Sequence, residues 1–95
     1  MDEGPAFEWD VHNLDHIARH DVSREEVEQA LAGDLLDLDY RVTEEGEDRW
    51  AAAGRTVQGR ILVIVWTVRE YGICRPITAY LATKGLEAIY RGLMD

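Results

Sequence analysis

One uninterrupted stretch of apolar and β-branched residues constrains the fold more than any other part of the sequence. Residues 61–68, Ile-Leu-Val-Ile-Val-Trp-Thr-Val, contain no charged residue, no glycine and no proline. A strand that is exposed on one side alternates apolar and polar residues, so a continuous apolar run of this length is typical of a central strand. The sequence therefore predicts a sheet in which residues 61–68 are covered on both faces.

Short turns connect this strand to its neighbours. The turn at residues 58–59 separates it from the β-prone residues 49–56, and the turn at residues 70–72 leads into residues 73–80. Connections this short predict antiparallel pairing in a three-stranded meander. Residues 36–40 alternate between leucine or tyrosine and aspartate, which indicates a further, half-buried strand.

Capping residues mark the start of three helices. Asp10 is a favourable N-cap for a helix that runs to about His20. Ser23 and Glu26 form a capping box for a second helix. Thr83 caps a final helix, and the apolar residues of this helix can pack on the sheet; they are Leu86, Ile89, Tyr90 and Leu93.

Together these elements predict an α+β fold, with two N-terminal helices and one C-terminal helix packed on a small antiparallel sheet. Residues 7–9 add a short edge strand or an extended lead-in, so the predicted order is β-α-α-β-β-β-β-α. A chain of 95 residues can build one hydrophobic core, and residues 1–95 are therefore predicted to form a single domain.

Several bulk properties indicate where the protein works. No apolar run approaches the roughly 20 residues that are needed to cross a bilayer, and the first residues, Met-Asp-Glu-Gly-Pro, contain no apolar signal core. The single cysteine, Cys74, excludes an internal disulfide and lies in an apolar segment, where a buried thiol is expected. We therefore expect a cytoplasmic protein that does not enter membranes.

Charge is distributed unevenly along the chain. The net charge of −9 on its own disfavours a polyanionic ligand such as nucleic acid. Residues 1–48 carry 16 acidic groups and 3 arginines, whereas residues 49–95 carry 7 basic groups and 3 acidic ones. Six of those seven basic groups are arginines, whose planar fork suits phosphate. The distribution fits a basic sheet beside acidic helices, and it equally fits scattered arginines beside solubilising carboxylates.

Three histidines, His12, His16 and His20, follow one another at four-residue spacing in the first predicted helix. Two imidazoles at this spacing can share a metal ion, but the third lies roughly 12 Å along the helix axis from the first. No cysteine cluster or paired acidic motif completes a coordination sphere, so no metal is expected. The stripe is then either a solvated or carboxylate-paired surface, or it gives His16 or His20 a role in contacting RNA or in acid–base catalysis.

Signatures of nucleophilic and nucleotide-binding enzymes are absent from the sequence, including the nucleophile elbow, the P-loop and the dinucleotide fingerprint. Cleavage of RNA without a metal needs a proton acceptor, a proton donor and cations that hold the charge on the phosphate. The basic half offers Arg55, Arg75, Tyr80 and Lys84 for these roles, and Trp66 as a surface on which a base can stack. For each arginine, a surface ion pair is the alternative interpretation.

Two segments at opposite ends of the chain, with a dipeptide between them, carry a family pattern. They are Phe7-Glu8-Trp9-Asp10 leading into residues 16–22, then Gly54-Arg55, and finally residues 75–80 followed by Ala82-Thr83-Lys84 and Tyr90. In these positions the chain resembles the BrnT family of small toxins from bacterial toxin–antitoxin pairs.

The resemblance implies a RelE-like fold and an endoribonuclease that inhibits translation, in which the ribose 2′-hydroxyl attacks the adjacent phosphate. It also implies a cognate antitoxin, expected to be a ribbon-helix-helix protein that covers the basic face and alone connects the toxin to DNA. By position in the family pattern, Arg55 is expected to bind phosphate, and Lys84 begins a last helix that is basic in the family. No cofactor is implied.

Three positions depart from the family pattern. Many members end the last strand in Ile-Ser-Ala-Arg, where this chain has Ile77-Thr78-Ala79-Tyr80. The usual basic run of the last helix is Gly85-Leu86-Glu87-Ala88 here, and Asp21 stands where a glycine is usual. Without this arginine, the chain lacks one positive charge and one guanidinium group that could bind phosphate through two hydrogen bonds. This predicts weaker phosphate binding. A non-catalytic interaction or regulatory module that keeps the fold and binds an antitoxin-like partner is therefore the alternative function.

Seven site residues follow from these interpretations. Catalytic roles are predicted for Arg55, Tyr80, Lys84 and His20, and RNA-binding roles for Arg75, Arg60 and Trp66. No residue is predicted to bind a cofactor or a metal.

Tyr80 distinguishes the active enzyme from the inactive module. In the enzyme it should lie exposed beside Arg55 and the start of the last helix, with its hydroxyl within reach of a scissile phosphate. In the module its ring should be packed under that helix with Leu86 or Tyr90. Strand alternation places Tyr80 on the same face as Pro76, which favours exposure.

Overall fold

The computed structural model describes residues 6–95, and its three helices begin at the predicted caps. They are α1 (Val11–Ala18), α2 (Arg24–Ala32) and α3 (Lys84–Met94). The Asp10 carboxylate accepts backbone N–H groups at the start of α1, and Ser23 and Glu26 form a reciprocal capping box at α2. Thr83 accepts the backbone N–H of Leu86 in α3. Within residues 6–95, none of the helices combines the length and the apolar character that a membrane span requires.

The first helix ends two residues before the predicted position at His20. The backbone N–H groups of His20 and Asp21 bond to the carbonyls of Ile17 and Ala18, and Asp21 then takes a φ of 60°. This left-handed backbone reverses the chain toward α2, and glycine would adopt it with less strain. The turn leaves the His20 side chain exposed.

The sheet has four antiparallel strands in sequence order. They are β1 (Leu36–Val42), β2 (Asp48–Arg55), β3 (Ile61–Val68) and β4 (Cys74–Leu81). The uninterrupted apolar run forms β3, which pairs with β2 on one side and β4 on the other. Three helices and a four-stranded antiparallel sheet confirm the predicted α+β class.

Residues 7–9 form an extended lead-in rather than a strand of the sheet. Phe7 makes a single parallel bridge to Cys74, and the backbone groups of Ala6 and Glu8 bond to those of Cys74. Cys74 is buried, and desolvation raises the pKa of its thiol to about 11. The cysteine is therefore protonated at neutral pH and acts as an apolar side chain.

Each face of the sheet carries one part of the core. The core beneath α1 and α2 consists of Ile17, Val22, Val27, Ala30, Leu62, Ile64 and Ala79. The core beneath α3 consists of Ala53, Ile61, Val63, Ala82 and Tyr90. We call these two sides of the sheet the α1–α2 face and the α3 face. Successive strand residues point to opposite faces, so residues 61–64 are buried because both faces are covered.

The second helix lies directly against the backbone of β2 at Gly54. A Cβ atom at this residue would lie 2.8 Å from the carbonyl oxygen of Ala30 and 2.9 Å from Cδ2 of Leu35. No side chain larger than hydrogen fits between α2 and the sheet at this point. Glycine therefore sets how closely α2 packs.

A β-bulge in β4 changes which side chains share a face. Val65 pairs with Thr78, but the next residue, Trp66, pairs with Pro76, so one extra residue of β4 lies between. Pro76 is consequently buried on the α1–α2 face. The prediction that Pro76 and Tyr80 share a face was wrong, because simple alternation does not reveal a bulge.

Candidate functional site

The third helix covers only part of its face, and the uncovered part is a groove of about 410 Å³. Strand alternation directs Ala51, Val63 and Val65 to this face, where they form the floor. The other lining residues are Leu38, Asp39, Arg41, Arg49, Trp50 and Tyr80. A small apolar floor with a charged and aromatic rim can accept a planar ring, and this is the candidate site.

Three aromatic rings stand in a row beginning at Tyr80 on the rim of the groove. The rings of His16 and His20 are stacked with centroids 6.1 Å apart, and the ring of His20 lies 5.8 Å from that of Tyr80. His16 lies in α1 and His20 in the turn that follows it, and the buried Ile17 fixes α1 against the sheet. All three rings are exposed, Tyr80 by 40%. We call them the ring ladder.

The predicted exposure of Tyr80 is confirmed, and its ring contacts the ring of His20. The hypothesis of an inactive module predicted that the Tyr80 ring would be packed under α3. The core cluster beneath α3 does not include Tyr80. The ladder offers histidine side chains next to a tyrosine hydroxyl. Among residues 6–95, no group of three or more histidine, cysteine or acidic side chains could hold a metal ion.

Arg49 connects the groove to a second depression at the other end of the ladder. It lines the groove and also a depression of about 280 Å³ that includes His12, His16 and Arg75. Its Nε lies 2.9 Å from a carboxylate oxygen of Glu47, and both side chains are partly exposed. A phosphate held by Arg49 would therefore lie close to the ladder.

Arg55 lies at the opposite end of the α3 face. Its Nη2 is 2.8 Å from Oδ1 of Asp95, and its guanidinium carbon is 5.5 Å from the centroid of the Tyr90 ring. The hydrogen bond donated to Asp95 raises the pKa of Arg55. From the strand register, the Cα atoms of Arg55 and Tyr80 are roughly 12 Å apart, two strands and two residues away. Arg55 is therefore engaged by α3 and not by Tyr80.

All nine arginines lie in the described part of the chain, and each is within 3.6 Å of a carboxylate. The pairs are Arg19–Asp15, Arg24–Glu25, Arg41–Asp39, Arg49–Glu47, Arg55–Asp95, Arg60–Glu26, Arg69–Glu8, Arg75–Asp10 and Arg91–Glu87. Lys84, the exposed first residue of α3, is in none of these pairs. The positive charge of residues 49–95 is thus largely neutralised, and a phosphate must compete with a carboxylate for each arginine.

Arg60 joins the turn before β3 to the start of α2. Its Nη1 donates to both carboxylate oxygens of Glu26, at 2.8 and 3.0 Å, and to the carbonyl of Asp21. Burial raises the pKa of Glu26, but hydrogen bonds from Ser23 and Arg60 outweigh this effect and lower the pKa overall. Arg60 lines a separate depression of about 570 Å³, larger than the groove, that contains no other predicted site residue.

Arg75 and Trp66 also have partners away from the groove. The Arg75 side chain is 14% exposed and donates to Asp10 at 2.9 Å, and this hydrogen bond is the main cause of the lowered pKa of Asp10. Trp66 stacks on Trp50 with centroids 6.4 Å apart and packs against the core of the α1–α2 face. Arg75 reaches the depression beside the ladder, whereas Trp66 lies on the face opposite the groove.

The sequence interpretation did not single out Arg49 or the alignment of His16 with Tyr80. In β2, Arg49 stands on the same face as Ala51 and Arg55, because even numbers of residues separate them, and the sequence shows this once a strand is assumed. The position of Arg49 relative to β4 depends on strand register and on the bulge. For the ladder, the four-residue spacing of the histidines was the available signal.

These features describe a small α+β fold with a polar and aromatic groove on an open part of its sheet. A family model, described as ribonuclease toxin, BrnT, of type II toxin–antitoxin system, matches residues 9–85. Because the match covers most of the chain, the chain belongs to the BrnT family. Membership implies a toxin with ribonuclease activity and an antitoxin partner. Neither a curated protein nor a solved structure matches the chain.

Proposed function

We propose that this chain is a metal-independent endoribonuclease with a RelE-like fold that cleaves RNA in the cytoplasm and thereby inhibits translation. Membership of the BrnT family supports the ribonuclease activity. The observation that carries the proposed chemistry is the contact between His20 and Tyr80 at the open groove.

In the proposed reaction the ribose 2′-oxygen attacks the adjacent phosphorus. His20 accepts the proton of the 2′-hydroxyl while the bond between the 2′-oxygen and phosphorus forms. Tyr80 donates its hydroxyl proton to the 5′-oxygen while the bond between phosphorus and that oxygen breaks. The products are a 2′,3′-cyclic phosphate and a 5′-hydroxyl, and exchange with water restores both side chains. The pair suits these roles because it provides one acceptor and one donor, both accessible to RNA.

Arg49 is the proposed cation for the charge that builds on the phosphate, since it lines the same groove as Tyr80. Lys84, at the start of α3, and Arg55, beside its end, are proposed to contact phosphates further along the RNA. Arg55 can do so only by exchanging Asp95 for phosphate. The side chain of Lys84 is exposed and needs no such exchange.

The geometry gives less support to the other three predicted RNA contacts. Arg75 and Arg60 are each held by acidic side chains, and Trp66 packs on the core of the opposite face. Their RNA-binding roles stay predictions, and for Arg60 we expect a role in the fold instead.

The antitoxin is proposed to be a small ribbon-helix-helix protein that covers the groove. Coverage of Tyr80 and Arg49 would exclude RNA, which is how such a partner would neutralise the toxin. The toxin would reach DNA only through the antitoxin. Support for the existence of this partner comes from the type II family match.

A non-catalytic interaction module is the second candidate function. The observation in its favour is that every arginine is already paired with a carboxylate, so RNA would have to displace a carboxylate from each arginine that it binds. Tyr80 also stands where an arginine is usual in the family. Such a protein would bind its partner tightly and would cleave no RNA.

Expression of the chain alone in bacteria distinguishes the two functions. We expect growth arrest with fragmented mRNA, and we expect His20→Ala or Tyr80→Phe to restore both growth and transcripts. Arg24→Ala is the matched control, because it removes an exposed ion pair on α2 away from the groove and should leave the protein toxic. Normal growth with intact transcripts, from soluble parent protein, would overturn the proposal in favour of the module.

A further inference from the structure

We propose that the ring ladder of His16, His20 and Tyr80 is a stacking platform for the bases of single-stranded RNA, and that RNA binding depends on it more than on the arginines. This inference rests on the proposed ribonuclease function and identifies how the substrate is held. Every nucleobase has an aromatic face, so a stacking platform accepts RNA without reading its sequence.

The ladder has the spacing and the open ends that stacking requires. Its centroid distances, 6.1 and 5.8 Å, lie within the range in which aromatic rings interact, so the three rings support one another. A base can extend the row at either end. At the Tyr80 end it would lie in the groove above Val63 and Val65, and at the His16 end it would enter the depression that Arg49 lines.

The polar atoms of the ladder are not committed to other protein groups. All ion pairs within residues 6–95 involve an arginine, so no carboxylate holds the ladder imidazoles. The hydroxyls of Tyr40 and Tyr90 bond to Asp48 and to the carbonyl of Asp34, whereas that of Tyr80 has no such partner in this part of the chain. The ladder rings also lie outside both core clusters, so His16 and Tyr80, at the two ends of the row, can each contact a ligand.

Charge points to the same conclusion. A phosphate that binds a paired arginine displaces a carboxylate, so little net attraction is gained on a protein with a net charge of −9. At most three cations are proposed to touch phosphate, Arg49, Arg55 and Lys84. For a single strand each contact contributes about −0.7 to the slope of log affinity against log salt, so we expect a slope between about −1 and −2. Six phosphate-bound arginines would instead give about −4.

A non-cleavable probe separates binding from catalysis. We would measure the affinity of a fluorescent, single-stranded 2′-O-methyl RNA by anisotropy, because its blocked 2′-oxygen cannot attack phosphate. Four variants of the full chain are compared with the parent: Tyr80→Ala, Tyr80→Phe, His20→Ala and His20→Phe. Phenylalanine keeps a ring and removes the polar atoms, and alanine removes both.

We expect the two alanine variants to weaken binding by about 5- to 100-fold and the two phenylalanine variants to stay within about 3-fold of the parent. Both positions are exposed, so melting temperatures should stay within about 3 °C of the parent. Should Tyr80→Ala fail to fold, the two His20 variants complete the same comparison at a position outside the core.

Three results would overturn the inference. They are alanine variants that bind as tightly as the parent, phenylalanine variants that lose as much affinity as the alanine variants, and a salt slope clearly steeper than about −2. Cleavage of unmodified RNA is measured in parallel. A parent that binds through the ladder and does not cleave would support the inference while it overturns the proposed catalysis, so the two failures are distinguishable.

Discussion

The guanidinium of Arg55 is paired with the carboxylate of Asp95 at 2.8 Å, so that the residue after the last turn of α3 is tied to the end of β2. The same guanidinium lies 5.5 Å from the ring of Tyr90, the buried anchor of α3. Arg55 is also the predicted phosphate ligand. Phosphate binding by this arginine therefore competes with a contact that holds α3 on the sheet.

Replacement of Asp95 should release this arginine for RNA. We expect Asp95→Asn to raise the rate of RNA cleavage by about 2- to 5-fold, and Arg55→Ala to lower it by a similar factor. Steady-state cleavage of a labelled RNA measures both. Glu87→Gln is the matched control, because it removes a carboxylate from α3 that pairs with Arg91 and not with Arg55. Equal effects of Asp95→Asn and Glu87→Gln would show that net charge, not release of Arg55, changes the rate.

Replacement of Arg60 should destabilise the fold and leave RNA binding unchanged. The charge-assisted hydrogen bonds to Glu26 are partly buried, so we expect Arg60→Ala to cost about 1 kcal/mol and to lower the melting temperature by about 4–8 °C. Arg24→Ala breaks an ion pair that is more exposed, and it should lower the melting temperature by less than about 2 °C. A folded Arg60→Ala protein with weakened RNA affinity would instead support the predicted RNA-binding role.

The same ion pair should make stability depend on pH. Because folding lowers the pKa of Glu26, the stabilisation is complete above the pKa of the unfolded chain and is lost as the pH falls through the folded value. The difference in free energy of unfolding between the parent and Arg60→Ala should therefore shrink below about pH 4. Urea denaturation at pH 7 and at pH 3 measures this difference. An equal difference in free energy at both pH values would contradict the assignment of this stabilisation to the ion pair of Arg60 and Glu26.

Gly54 should tolerate no side chain. The Cβ atom of Gly54→Ala would meet the Ala30 carbonyl at 2.8 Å, so α2 must move, and we expect a loss of about 1–3 kcal/mol in the free energy of unfolding. Gly92→Ala is the control, because Gly92 lies in α3 with open space around its Cβ position and should gain up to about 1 kcal/mol. Denaturant unfolding compares the two. Similar free energies of unfolding for both variants would show that α2 does not pack closely on β2 at Gly54.

Local sequence signals were sufficient for most of the secondary structure. The capping box of Ser23 and Glu26 and the cap at Thr83 depend only on residues three positions apart, and both helices begin where these signals lie. The strand at residues 61–68 was recognisable because burial on both faces leaves no polar position in its sequence. Family resemblance added the class of toxin, which the family match confirms.

Contacts between distant parts of the chain were beyond such signals. Arg75 pairs with Asp10, which is 65 residues away, and Arg55 pairs with Asp95. The sequence alone therefore did not reveal that carboxylates neutralise the arginines of the basic half. The contact of His20 with Tyr80 likewise depends on how α1 packs beside β4. None of these three contacts leaves a periodic trace in the sequence, because each depends on strand register and helix docking.

The most direct test of the proposed chemistry is cleavage of a 5′-labelled single-stranded RNA by the purified chain in the presence of EDTA. We expect fragments that end in a 2′,3′-cyclic phosphate, and rates at least about 100-fold lower for His20→Ala and Tyr80→Phe, with Arg24→Ala unchanged. Melting temperatures of the variants establish that each is folded. No cleavage by the folded parent, or undiminished cleavage by both His20→Ala and Tyr80→Phe, would contradict the assignment of His20 and Tyr80 as the proton-transfer pair.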